Sequence, residues 1–200
     1  MDLRSKVLAR QDGGFNNKLG KARVLIFGAG GLGSNVAMML ARAGISTIDI
    51  VDFDYVEETN LNRQIYGVED IGKSKVEACK DLICKAIPYA NINIHLLKVN
   101  VQNLDYFLDL SNIFIEAFDK AESKSFIFDK FIGLKDKYLI SVNGIAGLDI
   151  CESLKVKRFE NITVFGDFES LEDKGLYSAK VMFYAALEAG ETLKLIEKIY

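Results

Sequence analysis

The 200-residue sequence has no tryptophan, one proline, one histidine and three cysteines. Each scarcity closes off some chemistry. Most zinc sites draw four ligands from cysteine and histidine at short spacings, yet Cys79 and Cys84 stand five apart, Cys151 stands alone, and no CxxC pair occurs. No zinc is expected. A serine or cysteine triad would have to recruit His95 from the alternating run NINIHLL, where an ordinary strand residue is the plainer reading. Cys79 and Cys84 fall in a helical pattern and read as inert, and Cys151 reads as a small buried hydrophobe. An excess of one charge is also missing. The 25 Lys and Arg against 28 Asp and Glu leave a net charge of −3, with no block suited to nucleic acid or a membrane surface. No stretch approaches the roughly 18 apolar residues of a membrane span. The first twenty residues lack the apolar run of a secretory signal, so a cytoplasmic protein with no nucleic-acid and no membrane partner is the expectation.

What the chain does have is a core's worth of apolar residues, 50% of the total, arranged in short runs between helical patterns. Arg23–Phe27 (RVLIF) reads as a buried strand, Gly31–Ala43 as a helix, and Thr47–Val51 as a second strand, which together form a βαβ unit. A long polar loop from Asp52 to Gly72 precedes a helix over Lys73–Ala86 and a strand over Ile92–Val99. Further strands are expected at Asn112–Ala117 and Tyr138–Val142, on either side of a helix over Ala121–Leu134. Leu154–Phe168 alternates as one or two antiparallel strands, and Ser178–Ile199 reads as an amphipathic helix. The expected fold is α/β: a Rossmann-like, doubly wound, mostly parallel sheet with an antiparallel C-terminal extension and a closing helix. It is read as one domain over 1–200, with an N-terminal arm at 1–20, a nucleotide-binding core at 21–145 and the extension at 146–200.

Gly28-Ala29-Gly30-Gly31-Leu32-Gly33 follows the first strand directly and opens the first helix, the context a GxGxxG match needs. Gly28 permits the tight turn, Gly30 and Gly31 let the backbone approach a phosphate chain, and Gly33 lets the helix seat on the sheet. Asp52, at the end of the second strand, stands where a ribose-binding carboxylate belongs, with Asp54 as its alternate. Glycines alone leave NAD, FAD and ATP open. The long loop then gathers groups suited to polyphosphate: Arg63 forks onto phosphate oxygens, Lys75 supplies a point charge, and Asn60 offers an amide.

GAGGLGS, DFDYVEETNLNRQ and DIGKSK together resemble the ThiF/MoeB/HesA family, which is related to the adenylation domains of ubiquitin-activating enzymes. The resemblance covers about residues 8–200, and the linked acidic and NLNRQ string is its most specific part. It implies Mg²⁺ and ATP, and adenylation of the C-terminal glycine carboxylate of a small β-grasp carrier ending in Gly-Gly. It further implies ribose binding by Asp52, triphosphate contacts by Asn60, Arg63 and Lys75, and Mg²⁺ binding by Asp119. The stretch Glu116-Ala117-Phe118-Asp119-Lys120 keeps the family's acid but lacks its usual asparagine. Arg10 in the Arg10-Gln11 pair matches an arginine that reaches into the partner subunit's pocket, with Arg4 as fallback, so a homodimer is implied. The stretch before the last helix has no cysteine, so sulfur is expected from a separate donor such as a cysteine desulfurase. The overall likeness is to the short ThiF variety of thiamine biosynthesis, with a ThiS-like carrier. Two rival readings stand beside it: a NAD- or FAD-dependent oxidoreductase, and a nucleotide-binding partner without catalysis.

Overall fold

The computed structural model describes residues 2–119, 121–170 and 174–200. Lys120, in the departure from the family pattern, and residues 171–173, in the cysteine-free stretch before the last helix, lie outside them. Seven strands form one sheet: β1 (Arg23–Phe27), β2 (Thr47–Asp52), β3 (Asn91–Leu96), β4 (Ile113–Glu116), β5 (Tyr138–Val142), β6 (Lys155–Phe159) and β7 (Ile162–Gly166). Their order across the sheet is β3-β2-β1-β4-β5-β7-β6. Every neighbouring pair is parallel except β6 and β7, which form an antiparallel hairpin at one edge. The doubly wound sheet with an antiparallel end is the fold expected from the sequence.

Strand alternation sends side chains to two cores. Val24, Ile26, Ile48, Ile50, Ile113 and Ile115 face one side, covered by α3 (Gly31–Ala43), α4 (Lys75–Ala86) and α7 (Ser178–Ile199). Leu25, Phe27, Val51, Phe114 and Leu139 face the other, covered by α5 (Leu104–Leu108) and α6 (Ala121–Phe131). The central strands are apolar on both faces because helices cover both, as a parallel sheet requires. Phe27 stacks on Phe114 at 6.1 Å and meets Phe107 edge-on at 5.9 Å, which ties α5 to the centre of the sheet. One polar exception is Asp49 in β2, buried among Arg23, Asn93 and His95. Arg23 grips it at 2.6 and 2.8 Å, and His95 Nε2 lies 3.2 Å away, an ordinary strand position for the single histidine.

Two short helices, α1 (Leu3–Val7) and α2 (Gly13–Leu19), make up the N-terminal arm. Leu8 is buried against Gly44, the left-handed residue that ends α3. The Arg4 guanidinium donates to the carbonyls of Asn16 and Gly44, so Arg4 is a brace of its own chain rather than a free cation. One expectation is corrected. Cys151 is exposed, because it sits in the loop before the edge strand β6 instead of in either core, whereas Cys79 is buried in α4 and its thiol is pushed up to about 12 by burial.

Candidate active site

The strand order reverses between β1 and β4, and in open α/β sheets this is where the carboxyl ends leave a crevice. The glycine turn stands on one side of it. Gly28 has φ +101°, and a Cβ there would lie 2.7 Å from the carbonyl oxygen of Ala117 beyond β4. Gly33 is under tighter constraint, since a Cβ would sit 1.9 Å from Gly28 O. Gly30 caps α3 with no side-chain cap and open space where its own side chain would be. A Cβ on Gly31 would touch Val181 of α7 at 3.0 Å and the Arg63 stem at 3.5 Å.

The loop after β2 is ordered by its own backbone. Val56 N–H donates to Lys73 O, Gly72 N–H to Val56 O, and Lys75 N–H to Asp54 O, which brings Lys75 beside Asp54. Two 3-10 turns, Glu58–Asn60 and Val68–Asp70, fill the interval. Asp52 accepts from Ala29 N–H at 2.6 Å and Asp54 N–H at 2.9 Å, so its carboxylate ties the glycine turn to the loop. Asp54 is about half-exposed, and Lys75 Nζ lies 3.1 Å from its Oδ2. Arg63 Nη1 donates to Thr59 O and Asn62 Oδ1 at 2.9 and 2.8 Å. Asn60 is turned inward, its Oδ1 accepting from Glu57 N–H at 3.2 Å. Sequence reasoning missed Tyr66, whose buried hydroxyl lies 2.6 Å from Ala29 O and 3.1 Å from Lys75 O, joining turn and helix. Burial raises its pKa. Asn35, also missed, donates to Gly31 O and Arg63 O and so fixes the arginine's turn to α3.

A cleft of about 470 Å³ opens beyond β4 and β5. Leu32 from the glycine-turn helix, exposed Asp119, Lys124, Phe128, Ser141 and Gly144 are among its walls. Lys75, Arg63 and Asp52 are not, although the cationic loop reaches its rim, where Asn62 Nδ2 donates to the carbonyl of the lining residue Leu176 at 3.2 Å. Glu116, at the end of β4, lies behind the lining residues Lys124 and Ser141. Its buried carboxylate accepts from Phe118 N–H at 2.7 Å, Ser141 Oγ at 2.6 Å and Lys124 Nζ at 3.0 Å. The outer loops are braced by a second buried pair, Lys180 and Asp167, at 2.8 Å. Burial opposes ionisation of Asp167, but Lys180 and the N–H groups of Glu169 and Ser170 outweigh it and hold the carboxyl at about 2. An acid ending the apolar run IFIE was the only sequence signal for Glu116, and none marked Lys180.

Arg10 is exposed and two residues beyond Leu8, which is seated at the carboxyl end of α3. Thirteen residues of helix, about 20 Å at 1.5 Å each, separate that point from the glycine turn. The structure therefore brings Gly28, Gly30, Gly31, Gly33, Asp52, Asp54, Asn60, Arg63, Lys75 and Asp119 to one edge of the sheet and leaves Arg10 of the same chain at the far end of α3.

The sheet and its crevice define a Rossmann-like α/β protein with the candidate groups at the carboxyl edge. The chain belongs to the ThiF family, whose model matches residues 4–149. The adenylyltransferase and sulfurtransferase UBA4 of Candida glabrata is 30% identical over 195 residues, covering 92% of this chain and 44% of that protein. The probable adenylyltransferase/sulfurtransferase MoeZ of Mycobacterium tuberculosis is 38% identical over 113 residues, 56% of this chain and 29% of that one. The chain thus spans less than half the length of these relatives. Among solved structures, the E. coli tRNA N6-threonylcarbamoyladenosine dehydratase TcdA superposes with a TM-score of 0.85 at 20% identity, over 97% of this chain and 93% of that one. That likeness is one of fold.

Proposed function

We propose that the domain uses ATP to adenylate the C-terminal carboxylate of a small ubiquitin-like sulfur carrier, releasing pyrophosphate. The observation that carries this reading is that one cleft is walled both by the helix of the glycine turn, through Leu32, and by Asp119 beyond β4. A phosphate chain over α3 and a carboxylate in the cleft would then meet at the crevice. The nucleophile and the α-phosphate are both anionic, so the reaction calls for charge neutralisation and alignment and needs no general base. In this reading the first turn of α3 and the side chains of Lys75 and Arg63 bind the triphosphate. Asp52 and Asp54 face the ribose side, and Asn60 holds the Arg63 turn in shape.

Asp119 fits a magnesium ion. Its carboxylate is exposed at the cleft wall. A single carboxylate, with phosphate oxygens and water completing the shell, is the set that Mg²⁺ accepts. When bound, the ion would neutralise charge on the phosphates. The anchoring of the N-terminal arm at the far end of α3 supports a homodimer in which Arg10 serves the partner's pocket.

The finer part of the proposal, a ThiS-like carrier in thiazole synthesis with sulfur from a separate desulfurase, rests on the sequence resemblance. Carrier-dependent ATP–pyrophosphate exchange tests the whole. Exchange with an intact Gly-Gly carrier, and none with the tail removed, is expected. Nucleotide binding without exchange against ThiS-like and MoaD-like carriers would favour a non-catalytic partner. A change of substrate preference among carriers would move the pathway and keep the chemistry.

A further inference from the structure

Adenylation must bring a carboxylate to an anionic phosphate, and none of the triphosphate-binding cations lines the cleft where that carboxylate would wait. Among the described residues of its wall, Lys124 alone carries positive charge. Its ammonium is held from two sides, by both oxygens of Glu116 at 3.0 and 3.3 Å and by Val142 O at 3.0 Å. An ammonium has three N–H donors. The longest of the three contacts, to Glu116 Oε1, is the one a ligand's carboxylate would displace, and the side chain is 20% exposed on the cleft wall.

We infer that Lys124 grips the C-terminal carboxylate of the carrier through the N–H that otherwise rests at 3.3 Å on Glu116 Oε1. The inference rests on the adenylation reading and adds a residue to it. Glu116 does not cancel the lysine for this purpose, because its own oxygens are saturated by Ser141 Oγ and Phe118 N–H as well. A lysine fixed at both ends also gives up little rotamer freedom when a ligand arrives.

The test separates gripping from mere neutralisation of Glu116. In the double variant Glu116→Gln/Lys124→Met the ion pair is removed as a unit, so no buried charge is stranded. The KM for the carrier should rise about tenfold to a hundredfold, the scale of one hydrogen bond to a charged group. The KM for ATP and kcat should stay within about twofold of wild type. Lys124→Arg, which keeps the charge, should recover most of the carrier affinity. A double variant with the wild-type carrier KM would overturn the inference, as would a loss confined to kcat or to the KM for ATP. A second measurement needs no variant. Without ATP, the wild-type chain should bind the carrier about tenfold more tightly than the same carrier ending in a carboxamide, and equal affinities would overturn it. Absence of carrier-dependent exchange in the wild type is a different result, which removes the adenylation reading itself.

Discussion

In the loop after β2, on one side of the crevice, charge is held loosely. Lys75 rests on the half-exposed carboxylate of Asp54, and Arg63 on a carbonyl and an amide of its own loop. On the β5–β7 side, Lys180 and Asp167 are closed on each other, 3% and 7% exposed. Loose pairs can be exchanged for a ligand's phosphates, whereas closed pairs fix the loops that shape a cleft. Removing one partner of a closed pair strands a buried charge, but removing a cation from the loose side mainly withdraws it from the ligand. The two sides should therefore fail in different ways when mutated.

The largest expected effect falls where the sides meet. Gly33→Ala forces a methyl group to 1.9 Å from Gly28 O and should destabilise the fold by at least about 4 kcal/mol, read from the denaturant midpoint. Lys180→Met comes next, at about 3–5 kcal/mol, since Asp167 is left without its cation. This pair also carries a pH signature. The folded-state carboxyl is held at about 2, below its ordinary 3.8, so its stabilisation is present above that ordinary value and is lost as pH falls through about 2. The acid limb of the stability curve should flatten in the variant.

Lys75→Ala and Arg63→Ala should each lower exchange by about 10²-fold or more with little change in stability, the size of one preorganised charge-stabilising donor. Loss of folding without loss of specific exchange in either would erase the contrast between the two sides. The smallest expected effect has the opposite sign. Glu188 in α7 is buried with both oxygens lacking a hydrogen-bond partner among the described residues, and burial raises its pKa well above the ordinary value. Glu188→Met should stabilise by about 1–3 kcal/mol. Because the folded state holds the proton, the native protein loses stability as pH rises above the ordinary 4.5, so the gain should be larger at pH 9 than at pH 4.

The loose side was largely legible in the sequence and the closed side was not. GAGGLG, the strand before it and the helix after it are contiguous, so turn, spacing and periodicity speak together. The alternation of RVLIF, NIFIEA and YLISV likewise announced buried strands, and the run from 154 to 168 became the β6–β7 hairpin. Short elements escaped: α1, α2 and α5 run five to seven residues, too few for a 3.6-residue period to stand out. The expected strand end at Val99 fell back to Leu96, where pairing with Asp52 stops. Pairs such as Glu116 with Lys124, or Asp167 with Lys180, join a strand or loop to a helix 8 and 13 residues away, and nothing local marks one partner for the other. Tyr66 reads as one more aromatic until the fold brings its hydroxyl to Ala29 O.

The central claim is that one edge of the sheet holds releasable cations for a triphosphate beside a cleft for a carboxylate. A crystal structure with a non-hydrolysable ATP analogue tests it most directly. The account predicts that Lys75 leaves Asp54 and Arg63 leaves Thr59 for the phosphates, with the α-phosphate facing the cleft at Asp119. Nucleotide bound while both cations keep their present partners would contradict it.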